Sequence, residues 1–205
     1  MTPPDSLETI ATDVRGCTRC PLHQSRKNAV PGEGSGISGI YFIGEGPGYH
    51  ENEQGRPFVG AAGQFLNELL ESIGLERRAV WISNVVRCRP PENRDPLPQE
   101  IDACDSFTQR QIMALAPKVI VTLGRHAMGR FLPGESISRV HGQPRRSGGY
   151  VVFPMYHPAA ALHQPSLRDA LLADFQKLSE FLEKTPAGPP PAKEEPKPAS
   201  QMSLF

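Results

Sequence analysis

The chain has 205 residues, of which 38% are hydrophobic, and its 22 basic and 22 acidic side chains give a formal net charge of zero. This length supports one sizeable hydrophobic core, and the balanced charge argues against a protein that coats nucleic acid or membranes through bulk charge. No apolar run reaches the length of a membrane span and the N-terminus lacks the pattern of a signal peptide, which predicts a cytoplasmic protein.

The spacing of apolar residues predicts helices and strands that alternate along the chain. Strands are expected at 40–43, 79–83, 118–123 and 150–154, and helices at 6–14, 63–73, 99–115, in a short segment after Gly124, and at 165–183. This alternation is typical of an α/β fold, here a three-layer α/β/α sandwich around a four-stranded parallel sheet with right-handed crossovers. Residues 1–184 are expected to form this single domain.

Several residues of functional type follow the predicted strands directly. The glycine-rich loop Gly44–Gly48 follows the first strand, Asn84 the second, the Gly124 turn the third and His157 the fourth. Loops at the carboxyl ends of parallel strands converge, so these residues are expected to line one crevice. The main chain at Gly44, Gly46 and Gly48 is open to close approach by a ligand, and Phe58, flanked by turn residues, is free to stack on something flat.

Four cysteines, Cys17, Cys20, Cys88 and Cys104, predict a metal site, because thiols in a reducing compartment are more often ligands than disulfides. Cys17 and Cys20 form a tight CxxC turn that aims two thiolates at one ion. Cys88 and Cys104 are separated by fifteen residues and lack the usual zinc knuckle. Spacing alone leaves both a zinc ion and an iron–sulfur cluster open.

Four motifs at these positions together resemble those of one enzyme family, the family 4 uracil-DNA glycosylases. They are Gly-Glu-Gly-Pro-Gly at 44–48, Gly-Arg-Pro-Phe-Val-Gly at 55–60, Ser-Asn-Val-Val-Arg-Cys-Arg-Pro-Pro at 83–91 and His-Pro-Ala at 157–159. The four cysteines match the iron–sulfur cysteines of that family, and the resemblance extends from about position 17 to 182. It implies an enzyme that removes uracil from DNA, initiates base excision repair and carries a structural [4Fe-4S] cluster, with zinc as the alternative.

The resemblance and the chemistry of uracil suggest roles for three residues. The nucleotide must be flipped out of the duplex, and Phe58 is the candidate for the ring that stacks on its base. Asn84 is the candidate reader, because an amide accepts from uracil N3–H and donates to O4, whereas cytosine reverses both groups. His157 is the candidate donor to O2, where negative charge grows as the glycosidic bond breaks.

Three groups are candidates for positioning the attacking water. The related family 1 enzymes have an aspartate at the motif position that Gly46 occupies here, so Glu45, Asn93 and the loop main chain are the candidates. Tyr49 and Glu51 are both candidates for the wall that rejects the methyl group of thymine. A related subgroup traps its abasic product covalently through a histidine in a basic insertion after the second strand. This chain has no such histidine there, which predicts that the enzyme turns over instead of trapping its product.

A basic loop at residues 139–146 is expected to grip DNA through Arg139, His141, Arg145 and Arg146, with Ser138 and Gln143 as further contacts. Residues 185–200 have the Pro-rich composition of a disordered linker. The chain ends in Gln201-Met202-Ser203-Leu204-Phe205, which resembles the bacterial sliding-clamp-binding motif through Gln201, Leu204 and Phe205. The protein is expected to be a monomer.

Two other classes of protein are alternatives to the glycosylase. One is a nucleotide-binding module whose glycine-rich loop cradles phosphate, although the loop lacks the Lys-Ser/Thr of a P-loop. The other is a non-catalytic nucleic-acid-binding or polymerase-accessory domain with a structural metal site. Only the glycosylase would leave an abasic site in uracil-containing DNA.

Overall fold

The computed structural model describes residues 5–184. The strands are β1 (Glu33–Gly34), β2 (Ile40–Gly44), β3 (Trp81–Asn84), β4 (Val119–Leu123), β5 (Arg145–Ser147) and β6 (Tyr150–Met155). The α-helices are α1 (Leu7–Gly16), α2 (Tyr49–Gln54), α3 (Ala61–Glu71), α4 (Pro98–Leu115), α5 (Arg125–Phe131), α6 (Ile137–Val140), α7 (Pro158–His163) and α8 (Pro165–Lys184). Short 3-10 helices span Pro21–Gln24, Arg77–Ala79 and Pro91–Asn93.

The sheet has six strands in the order β1-β3-β2-β4-β6-β5. The four central strands are parallel, as the sequence predicts, and β1 and β5 are added antiparallel at the two edges. The α/β prediction is therefore confirmed, while the expected count of four strands is too low. The edge strands are two and three residues long and only partly buried, so they carry no apolar run that would reveal them.

The central strands are mostly apolar because the sheet is covered on both faces. Along β2, Ile40 and Phe42 pack on one face with residues of α3, α7 and α8, while Tyr41 and Ile43 pack on the other with residues of α4, α5 and α6. This alternation is the three-layer α/β/α arrangement. In β2 and β3 every residue is buried up to the last one, so the polar ends of these strands lie inside the protein.

Helix α3 begins against the segment that carries Phe58. Its apolar residues Phe65, Leu66, Leu69 and Leu70 recur at helical spacing and are buried in the core. A Cβ added at Gly63 would lie 1.8 Å from the carbonyl oxygen of Phe58, so only glycine allows this approach. The packing of α3 thereby fixes the main chain of the preceding turn.

Among residues 5–184, no helix has the length and hydropathy needed to cross a bilayer. The Pro-rich linker at 185–200 and the clamp-binding candidates Gln201, Leu204 and Phe205 lie outside the described residues.

Candidate active site

The residues predicted to share a crevice do lie at one edge of the sheet. Gly44 and Asn84 end β2 and β3 and are directly paired across the two strands. The main-chain N–H of Gly124, after β4, donates to Met155, the last residue of β6, at 2.8 Å. A Cβ added at Gly124 would lie 3.1 Å from the Cβ of His157. The four carboxyl ends therefore bring an amide, an imidazole and glycine main chain together.

Phe58 closes this crevice from the adjacent turn. Its ring lies 5.6 Å from the ring of His157, centroid to centroid, with the two planes inclined by 28°. A Cβ added at Gly44 would lie 2.6 Å from both the Phe58 ring and the Asn84 Oδ1. Phe58 has a φ of 50°, a left-handed conformation that is strained for an aromatic residue. Strain of this kind persists where the surroundings hold the side chain in one required place.

Asn84 carries an unsatisfied acceptor in the crevice. Its side chain is 1% exposed, and its Oδ1 has no hydrogen-bond partner within the described part of the chain. Leaving a buried acceptor unpaired costs about 1–3 kcal/mol. A ligand that presents an N–H group at this point would remove that cost, so the site is suited to a flat molecule with a donor on its edge.

His157 is held as a neutral imidazole with one defined donor. The main-chain N–H of Ala159 donates to Nδ1 at 3.1 Å, which leaves the ring proton on Nε2. Burial lowers the pKa of His157 to about 4, and the charge of Glu51 opposes this shift. At neutral pH the ring therefore presents an uncharged Nε2–H donor beside Phe58.

Glu51 joins the two glycine turns of the site. Its Oε1 accepts from the main-chain N–H groups of Val59 and Gly60 at 2.8 and 2.9 Å, and its Oε2 accepts from that of Gly48 at 3.1 Å. Tyr49, the other candidate for thymine rejection, is 54% exposed, and the Arg89 guanidinium lies 5.4 Å above its ring. The Glu51 carboxylate thus holds the loops in place, while Tyr49 lies at the surface.

Glu45 lies in a cluster that the sequence did not reveal. His126 Nε2 lies 3.9 Å from Glu45 Oε2 and 3.4 Å from an oxygen of Asp95. Burial raises the pKa of Glu45, and the nearby His126 lowers it. His126 is the second residue of α5. Its position two residues after Gly124, at the end of a predicted strand, is the feature of the sequence that could have placed it near the site. The side chain of Asn93 is exposed and accepts from Arg89 at 2.8 Å, rather than bonding to Glu45.

The basic loop at residues 139–146 leads into the edge strand β5. Arg139 and Arg146 are exposed, and Arg145 donates to Gln143 Oε1 at 2.8 Å. His141 is tied to the protein interior, because its Nδ1 lies 2.6 Å from the fully buried Asp174 and its ring lies 4.5 Å from that of Tyr156. The arginines are thus free to meet a ligand, whereas His141 also anchors the loop.

The four cysteines line a second, separate cavity, together with Arg19, Arg26, Arg87 and His23. Arg26 donates to the Cys88 sulfur at 3.1 Å and Arg19 to the Cys17 sulfur at 3.5 Å. Burial raises the pKa of the Cys88 thiol to about 11. The cavity therefore gathers four thiols and several N–H donors from the N-terminal turn, the loop after β3 and helix α4.

The spacing of these sulfurs bears on which metal they could hold. Within residues 5–184, Glu45, Asp95 and His126 each place one possible ligand atom within 4.8 Å of the other two. No three of the four thiol sulfurs lie that close together. Four thiolates around one zinc ion at about 2.3 Å would stand about 3.8 Å apart. In a four-iron cluster each thiolate binds a different iron, so wider spacing fits that group better.

Comparison with known proteins relates most of this chain to one superfamily. The family model of the Uracil DNA glycosylase superfamily matches residues 31–183. The type-4 uracil-DNA glycosylase of Sulfurisphaera tokodaii is 50% identical over 86% of this chain and 85% of that protein. Those of Saccharolobus solfataricus and Thermotoga maritima are 47% and 46% identical, over 89% and 87% of this chain and 89% and 95% of the relatives.

Proposed function

The chain belongs to the uracil DNA glycosylase superfamily, among its type-4 members, and we propose that it hydrolyses the N-glycosidic bond of uracil in DNA. The product would be an abasic site, the starting point of base excision repair. The observation that carries this proposal is the buried, unpaired Oδ1 of Asn84 beside the Phe58 ring. The N3–H of uracil is a donor of the required kind, whereas N3 of cytosine is not.

Recognition follows from the three side chains around Gly44. The flipped base stacks on Phe58, whose left-handed backbone is held in place by Gly63 and by the Glu51 carboxylate. The Asn84 amide accepts from uracil N3–H and donates to O4. Cytosine would present an acceptor to the Asn84 oxygen and an amino group to the Asn84 NH₂, leaving buried groups unpaired. A site that depends on such hydrogen bonds rejects the wrong base strongly.

Bond cleavage is supported by the neutral imidazole. As the C1′–N1 bond breaks, its electron pair moves into the uracil ring and negative charge builds at O2. The Nε2–H of His157 donates to that oxygen, and this bond strengthens as the charge grows. The donor is the neutral imidazole, because the pKa of His157 is lowered to about 4 and the imidazolium is therefore excluded at neutral pH.

Water completes the reaction at C1′. Its oxygen forms the new bond to C1′, and one of its protons passes to the Glu45 carboxylate, while the departing uracil anion later takes up a proton. Glu45 is suited to hold this water because it lies in the loop directly after β2 and its pKa is raised by burial. Asn93 remains a candidate for a supporting contact through the loop at 89–97. Product release without a covalent trap is expected.

A [4Fe-4S] cluster is the cofactor that the cysteine cavity supports best. Cys17, Cys20, Cys88 and Cys104 would hold it, and the group would supply a structural cross-link rather than a step of the hydrolysis. Cys88 lies four residues after Asn84, so the cross-link would fix the segment that carries the uracil reader. Among residues 5–184 no three of the thiols lie within 4.8 Å of one another, which favours a four-iron cluster over a single zinc ion.

DNA is the proposed partner, gripped by the basic loop through Arg139, Arg145 and Arg146 with His141 as its anchor. We further infer a monomer that works in the cytoplasm, where thiols stay reduced. The terminal residues Gln201, Leu204 and Phe205 would tether it to a sliding clamp. Deleting residues 201–205 should then weaken clamp binding, and unchanged binding would refute the tether.

The activity is tested with a labelled oligonucleotide that contains one deoxyuridine, incubated with cluster-loaded protein and treated with alkali. Strand cleavage at deoxyuridine but not at deoxycytidine or thymidine is expected. His157→Gln should reduce the rate about 100-fold or more, while His163→Gln, at an exposed position at the end of α7, should not. No cleavage in either single- or double-stranded substrate would refute the proposed function.

A further inference from the structure

Arg87 is a buried cation that has no anionic partner among residues 5–184. Its side chain is 1% exposed and heads the largest fully buried side chains. One terminal nitrogen, Nη2, donates to the neutral Thr108 Oγ1 at 3.2 Å and to the neutral Gln111 Oε1 at 2.9 Å. The other two nitrogens, Nε and Nη1, are buried and have no hydrogen-bond partner among the described residues. Two donors and a full positive charge are thus left uncompensated.

Such an arrangement is costly unless something supplies negative charge. The effective penalty for burying an ion is several kcal/mol, and an isolated guanidinium cannot escape it by losing its proton. Arg87 lines the same cavity as the four cysteine thiols and directly precedes Cys88. The lining of this cavity includes three arginines and a histidine but no carboxylate. Among these lining residues, negative charge can come from the thiols, once they are deprotonated, and from what they bind.

We propose that Arg87 is the buried countercharge of the iron–sulfur cluster and donates its free N–H groups to cluster or cysteine sulfur. This inference rests on the proposed cluster. A cluster held by four thiolates is negatively charged, and its stability and reduction potential depend on nearby charge and on hydrogen bonds to sulfur. Arg87 would therefore set how firmly the cluster is held and how easily it takes an electron.

Burial distinguishes Arg87 from the other arginines of the cavity. Arg19 donates to a thiol sulfur, but its side chain is exposed to solvent, where water and salt screen its charge. Arg87 is also held rigidly. Gln111, which accepts from it, accepts from the Tyr41 hydroxyl at 2.8 Å and donates to the Pro31 carbonyl at 2.8 Å. The charge of Arg87 is therefore both unscreened and fixed in position.

The first test measures iron and acid-labile sulfide in wild-type protein purified without oxygen. Their presence in equal amounts supports the cluster, whereas zinc in their place overturns both the cluster and the inference. The second test compares Arg87→Met with Arg19→Met. Cluster retention against a chelator, followed by absorbance near 400 nm, should fall about tenfold in Arg87→Met, in the range of changes beside a metal site. Arg19→Met should change it much less.

The reduction potential gives a readout that a purely structural role would not move. A cation stabilises the more negative, reduced cluster, so Arg87→Met should shift the potential of the loaded protein to more negative values. Equal potentials and equal cluster loss in Arg87→Met and Arg19→Met would overturn the role of Arg87 while leaving the cluster in place. If Arg87→Met does not fold, Arg87→Lys and Arg87→Gln decide. The reduction potential of Arg87→Lys, which keeps the charge, must stay nearer the wild-type value than that of Arg87→Gln. If Arg87→Gln is nearer, the proposal is overturned.

Discussion

Lowering the pH from 7.5 to 5 is expected to leave His157 neutral in the folded protein. Burial lowers its pKa to about 4, whereas a histidine in the unfolded chain titrates near 6.5. The unfolded state therefore binds more protons below pH 6.5, and the folded state loses stability as the pH falls. The difference between these two pKa values corresponds to a total loss of about 3 kcal/mol of folding stability, of which about 2 kcal/mol is lost at pH 5. The loss levels off below pH 4, where His157 in the folded state also takes up the proton.

NMR of protein labelled with ¹⁵N-histidine measures this directly. The His157 ring, assigned by its disappearance in His157→Gln, should remain neutral down to pH 5 and show the proton on Nε2. His163→Gln serves as the control, because it removes the signal of an exposed ring at the end of α7 and should leave the His157 signal unchanged. Titration of His157 near pH 6.5, or a proton on Nδ1, would refute the reasoning that a locked neutral donor serves uracil O2.

Three further changes probe other parts of the site. Asn84→Asp should reduce uracil excision about 100-fold or more and raise relative activity on cytosine, measured in single turnovers on matched oligonucleotides, because the amide donor is lost. His126→Ala should raise the pKa of Glu45 further, because His126 lowers it in the wild-type protein. The acid limb of the pH profile of kcat/KM should then move to higher pH, and an unchanged limb would show that it does not report the titration of Glu45. Charge reversal at Arg145 and Arg146 should weaken DNA binding and flatten the plot of log Kd against log salt by about one per lost contact, and an unchanged slope would remove the basic loop from the interface.

The sequence predicted the central sheet and the crevice because both depend on strong local signals. The four parallel strands are built mainly from apolar residues, and all of their residues except the first two of β6 are buried. The topology then places the ends of these strands together, so Asn84 and His157 could be related without any contact being known. The structure adds the protonation state of His157, which depends on burial and on the Ala159 N–H.

Other features depend on contacts between distant segments and left little trace in the sequence. Arg87 stands in a Pro-rich, basic motif that is typical of an exposed loop, yet Thr108 and Gln111 from α4 enclose it. The main-chain conformation of Phe58 is set by Gly63 and by the Glu51 carboxylate. Helix α2 is short and has a single buried residue, Asn52, so no apolar periodicity marks it.

Glu51 explains how two separate glycine turns act as one site. Its two oxygens accept three main-chain N–H groups, from Gly48, Val59 and Gly60, and so hold the loop after β2 against the turn that carries Phe58. In Glu51→Gln one oxygen becomes an NH₂ group that faces an N–H donor, so at least one bond is lost and a repulsive contact replaces it.

The two turns should then separate, and the loss of kcat/KM on deoxyuridine should be about tenfold or more, since a misplaced stacking ring lowers transition-state binding. Glu53→Gln is the matched control, because it makes the same change on the same helix at a residue whose partner is the exposed Lys27. Glu53→Gln should leave kcat/KM on deoxyuridine near the wild-type value, because an exposed ion pair contributes little. If Glu51→Gln retained full activity, the carboxylate would not be what holds Phe58 over the base, and the strain at Phe58 would need another support.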